Sequence, residues 1–136
     1  MKKIFICLLL FSIAGYGQNE DLINVKLEMP LTYANIAKNA AKKWPGDFEM
    51  QKYTIDNQCK AFNEYLKLSK NHSVPDDVYL QCAMLAWDKW CDSDWVKCLK
   101  ENKEFGLDTV DACWNADWEM VVYTIKNQIE AYNSLK

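Results

Sequence analysis

The chain of 136 residues carries 16 lysines, no arginine and 19 acidic residues, and half of it is apolar. That length suits one domain. An acidic chain without arginine lacks the planar bidentate donors that read phosphate backbones, which excludes nucleic acid as a partner; many aromatics with only four glycines suit a packed helical core and exclude a disordered tail.

Met1-Lys2-Lys3 is a short positive segment, Ile4 to Ala14 is an unbroken apolar run, and Gly15-Tyr16-Gly17 places small residues before Gln18. The pattern predicts a secretory signal peptide over residues 1–17, too short to span a bilayer as a helix. Cys7 lies inside the apolar run instead of after it, which points away from a lipoprotein anchor. The expected product is residues 18–136, a single helical domain, periplasmic or extracellular, with no stable membrane insertion after cleavage. Its 14 lysines and 19 acidic residues leave a formal charge of −5.

Gln18 to Pro30 has no clear period and is expected to be an arm or a docking segment. The run TYANIAKNAAKKW predicts a helix from Thr32, with Thr32 as N-cap, broken by Pro45-Gly46. Asp47 is placed to cap the next helix, predicted from Phe48 to about Lys67. Phe48, Ile55, Cys59, Phe62 and Leu66 lie on one of its faces. After a polar loop, Ser73 and Asp76 have capping-box spacing at the start of a third helix, with Pro75 in its first turn. A fourth helix is expected from Trp95 to about Glu104, stopping near Gly106, and Asp108 caps a short fifth segment. Asp117 caps the last helix, whose apolar stripe is Trp118, Val121, Val122, Ile125, Ile129 and Tyr132.

Residues 44–63 (WPGDFEMQKYTIDNQCKAFN) and 114–133 (WNADWEMVVYTIKNQIEAYN) match at 11 of 20 positions. A self-match at a fixed offset predicts two copies of one supersecondary unit. The expected fold is therefore all-α: an antiparallel helical bundle or αα-repeat of five to six helices with an internal duplication.

Five cysteines follow the signal segment, and export makes disulfides the default. In antiparallel helices, residues equidistant from a turn sit at the same height. Cys59 and Cys82 flank the loop near residue 70, and Cys98 and Cys113 flank Gly106. The expected staples are Cys59–Cys82 and Cys98–Cys113, with Cys91 left over. With no CxxC pair and His72 as the only histidine, no structural zinc site is expected, nor any cofactor.

Two features carry the functional reading. Trp, a short gap, Asp and an aromatic recur at Trp44, Trp90 and Trp114. This unit serves either as a binding platform or as a helix corner, in which Asp caps and the aromatics plug. Thr54/Thr124, Asn57/Asn127 and Gln58/Gln128 recur in both copies, either as a twofold-related groove or as buried pairs across a helix interface. The candidate binding residues are Trp44, Asn57, Gln58, Trp114, Asn127 and Gln128. His72 has Ser69 and Ser73 near it in sequence, but no spacing selects a triad, and no catalytic residue is assigned.

Lys42 to Met50 (KKWPGDFEM) resembles a short helical motif of exported bacterial proteins of unassigned function. Trp90, Cys98, Cys113 and the final amphipathic helix are similar to LprI-type lysozyme-inhibitor domains, which are small, exported, cysteine-stapled helical modules. The expected function is a non-catalytic binding or interaction module for a protein or cell-envelope component. The resemblance implies inhibition of a cell-wall hydrolase as an alternative, where an acidic chain would face a basic enzyme. A small hydrolase using paired carboxylates is a third reading.

Overall fold

A computed structural model describes residues 22–91 and 115–136. Among them are five helices and no strand: α1 Val25–Glu28, α2 Pro30–Lys43, α3 Phe48–Lys70, α4 Asp76–Trp90 and α5 Trp118–Ser134. The predicted signal segment, the helix expected from Trp95, the segment capped by Asp108, and Cys98, Cys113 and Trp114 lie outside the described residues.

Residues 22–30 dock on the core. Asn24 accepts from the Leu27 amide and donates its own amide to Glu28, a reciprocal cap for α1. Val25 and Met29 are buried in the core. Because α1 is there, α2 starts earlier than the sequence suggests. Pro30 takes the first helical position, and Thr32 is buried inside the helix instead of capping it.

Lys43 ends α2, and Gly46 turns the chain at φ +78°, a conformation that favours glycine. Asp47 then caps α3 as expected, its Oδ1 accepting from the Met50 amide at 3.0 Å. Asp117 does the same for α5, accepting from the Met120 amide at 3.3 Å. The cap expected from Ser73 is not formed. Pro75 is the residue before α4 and makes no side-chain cap, while Ser73 accepts from Asn133 at the far end of α5.

α2 packs on α3, α4 packs on α5, and the two pairs meet where α3 crosses α5. An aromatic cluster fills that junction. The Trp118 ring lies 4.7 Å from Phe62, edge to face, and 5.3 Å from Tyr65, which in turn lies 6.2 Å from Trp87. Such pairs contribute about 0.5–1.5 kcal/mol each beyond the area they bury.

This arrangement overturns the expected Cys59–Cys82 staple. Cys59, Cys82 and Cys91 are free thiols. The equal-height argument required α4 to fold back along α3, and α4 packs on α5 instead. Loop position alone therefore did not set which helices face each other.

Candidate functional site

The two helix pairs carry the same corner. At the first, the Trp44 carbonyl accepts from the Asp47 amide at 3.2 Å, and the indole Nε1 donates to Thr54 Oγ1 at 3.1 Å. At the second, the Trp90 carbonyl accepts from the Asp117 amide at 3.2 Å, and its Nε1 donates to Thr124 Oγ1 at 2.8 Å. Lys43 Nζ lies 5.5 Å above the Trp44 ring and Lys89 Nζ 5.2 Å above the Trp90 ring. The match at constant offset pairs Trp44 with Trp114, whereas this geometry pairs it with Trp90. Cys91, directly after Trp90, and Ala116, directly before Asp117, form an isolated antiparallel bridge.

The recurrent threonines thus accept indole N–H bonds, a packing reason that their half-exposed helix positions hid. The final asparagines of the repeat also share a duty. Asn63 accepts from the Ile23 amide and donates to the Ile23 carbonyl, pinning the strip before α1. Asn133 donates to Ser73, in the loop before α4.

Beside the first corner lies a groove of about 330 Å³ between α2, α3 and the start of α5. Trp44, Asn57 and Gln58 all line it, so three of the six candidate binding residues come together. Sequence reasoning missed Asn39, Lys43, Tyr53 and Glu119, which also line the groove, as does Asp117. The i, i+4 spacing of Tyr53 and Asn57 on an exposed face was the available signal. Asn39 also donates to Asn115 at 2.8 Å, tying α2 to the residues that lead into α5.

Gln58 holds the far wall. Its Oε1 accepts from the Trp118 amide at 2.7 Å, and its Nε2 donates to Asp117 at 2.9 Å and to Glu119 at 3.3 Å. One buried amide satisfies an orphan N–H of α5 and orients two carboxylates. Asn127 and Gln128, its counterparts on α5, are exposed and stand outside this groove. A single groove containing all four amides is therefore not formed, and Trp114 lies outside the described residues.

His72 and the serines near it in sequence have structural duties. The His72 ring stacks on Tyr79 at 4.3 Å, and its Nδ1 lies 2.8 Å from the Val74 carbonyl. Ser69 Oγ donates to the Leu66 carbonyl. Burial pushes the Tyr79 phenol well above its usual range, helped by Cys82.

Among the described residues no helix is long and apolar enough to cross a membrane, and no group of three or more His, Cys, Asp or Glu could hold a metal ion. Comparison with protein-family models, with curated proteins and with solved structures finds no match to this chain.

Proposed function

We propose that the chain is an exported, non-catalytic binding module, built on an internal duplication, whose ligand sits in the groove beside Trp44. The observation that carries the reading is the character of that groove: concave, lined by aromatic rings, and furnished with a few convergent polar groups. Its polar groups are held in place. The Thr54 hydroxyl is engaged by Trp44, Asp117 caps α5, and Glu119 accepts from Gln58. Fixed side chains of this kind select a ligand at little cost in ordering entropy. Both carboxylates accept from the one Gln58 amide nitrogen, and Asp117 also accepts from the Met120 amide. The recurrence of the corner at Trp90 supports the duplication, as do the equivalent duties of Asn63 and Asn133.

Co-sedimentation of the protein from residue 18 onward with isolated cell-envelope material tests the reading. The wild type is expected to bind, and Asn57→Ala combined with Tyr53→Ala to release it without changing the melting temperature. Release of soluble products from that material by the wild type would replace this reading with a hydrolase. Inhibition of lysozyme that survives both substitutions would move the function to another surface.

A further inference from the structure

We infer that the groove beside Trp44 takes an organic cation, an ammonium or guanidinium group on an aliphatic stem, held by the carboxylates of Asp117 and Glu119 and the amide of Asn57. The inference rests on the binding-module reading of that groove and names the ligand class.

The polar capacity of the groove is one-sided. Gln58, only 9% exposed, spends its Nε2 on Asp117 Oδ1 and Glu119 Oε2, which keeps the two carboxylates side by side. Among the described residues no cation pairs with either of them. Asp117 Oδ2 and Glu119 Oε1 accept no hydrogen bond from those residues. Asn57 has no hydrogen-bond partner among them, and Asn39 spends its Nδ2 on Asn115 and keeps its Oδ1 open. Against these acceptors the lining sets one charged donor, Lys43, whose Nζ lies over the Trp44 ring. Two formal negative charges thus face one positive charge.

A donor-rich cation meets this lining directly. An ammonium brings three donors and no acceptor, and a guanidinium five donors in a plane. Tyr53, which is 61% exposed and lines the groove, offers a ring face to the charge or to its stem. An anion meets the opposite. The α5 terminus would attract one, but its Trp118 amide is taken by Gln58 and its Met120 amide by Asp117. Because Gln58 holds the carboxylates in advance, binding spends little on ordering them. At longer range the formal charge of −5 from residue 18 onward draws cations towards the chain.

The probes are n-butylamine and n-butylguanidine, with n-butanol as the neutral control and butyrate as the anionic one. Each is titrated into the protein from residue 18 onward and followed by backbone amide NMR. Both cations should shift the amides around Asn57 and Glu119, and their binding should weaken as salt is raised. Both carboxylates are exposed, so Glu119→Gln should lower cation affinity about threefold, and adding Asp117→Asn should lower it about tenfold in all. Asparagine caps a helix as well as aspartate does, which preserves the start of α5. Lys43→Gln should act the other way and tighten cation binding, a gain that damage to the fold would not produce. Thermal melts establish that each variant is folded. A blocked Gly-Lys-Gly tripeptide carries the same butylammonium group. Tighter binding of the tripeptide than of n-butylamine assigns the cation to a polypeptide partner, and equal binding assigns it to a free amine. Groove shifts with butyrate or butanol in place of the cations would overturn the ligand class while leaving the groove as a binding site. Absence of shifts with every probe would overturn the class as well, and the envelope co-sedimentation then decides the binding-module reading by itself.

Discussion

The pair α2–α3 and the pair α4–α5 share a corner and differ in what stands at the head of the second helix. Trp118 is fully buried and sits at the centre of the aromatic cluster, whereas Phe48 is 78% exposed. The cause lies across the interface. Gln58 on α3 reaches the α5 terminus and draws it into the core, while Gln128 on α5 is exposed and is not placed to do this for α3. Identical residues at matching positions acquire different burial because the junction of α3 and α5 has only one inside.

The difference predicts unequal responses to equivalent substitutions. Trp118→Ala should lower stability by about 3–5 kcal/mol, the usual loss for a buried tryptophan, and Phe48→Ala by no more than about 0.5 kcal/mol. Urea melts of both variants check this, and equal losses would mean that both helices start in equivalent surroundings. Next in size is the amide. Gln58→Ala leaves the Trp118 amide without its acceptor and should cost about 1–3 kcal/mol, while Gln128→Ala should change the melt very little.

What the two corners share should respond alike. Trp44→Phe and Trp90→Phe each remove one indole-to-threonine bond while keeping an aromatic ring, and each should cost about 0.5–1.5 kcal/mol. The corner geometry itself predicts that the two losses are similar. A markedly larger loss at one site would show that its tryptophan has another structural duty.

The longer helices and the caps at Asp47 and Asp117 were legible because they depend on residues close in sequence, whereas α1 and the absence of the caps expected at Thr32 and Ser73 were not. Asp47 and Asp117 precede their helices directly, and the α5 stripe from Trp118 to Tyr132 has helical spacing. The partnering of helices was not legible, because it is set by packing between distant segments. The equal-height rule placed Cys59 opposite Cys82, and packing placed α4 on α5 instead. Trp90 is recognisable as a recurrence of the Trp44 unit, but its pairing with Asp117 was not legible, for a related reason. The halves are offset by 46 residues at Trp44/Trp90 and by 70 at Asp47/Asp117, so a match at constant offset settles on Trp114. Of the candidate site, Trp44, Asn57 and Gln58 could be found as recurrent residues. Asn39 and the distinction between Gln58 and Gln128 needed the neighbouring helix.

The smallest expected effect concerns the thiols, and it bears on how free cysteines persist in a protein proposed to be exported. Burial raises the pKa of Cys59 and Cys82 above the ordinary 9.0, with Asp56 adding to the rise at Cys59. Burial, with Asp88 beside it, pushes Cys91 up to about 12. Because the thiolate is the reactive form, each of these groups resists alkylation and oxidation near neutral pH. A raised thiol pKa disfavours the folded state, and only where the unfolded thiol would ionise. The protonated Cys91 therefore costs the folded protein nothing below pH 9, and a unique destabilisation cannot come from its ionisation there. Above pH 9 the unfolded chain releases the Cys91 proton first, so stability falls as the pH rises from 9 towards 12. Cys91→Ala should remove that part of the alkaline loss while leaving the slope of stability against pH near neutrality unchanged, as read from urea melts at a series of pH values. Iodoacetamide labelling followed by peptide mapping gives the companion measurement. Cys59 and Cys82 should be recovered as unlinked thiols, and Cys91 should be labelled slowest at pH 8. Rapid labelling of Cys91 at that pH would show that its surroundings are open to water, and with them the Cys91–Ala116 bridge just before α5.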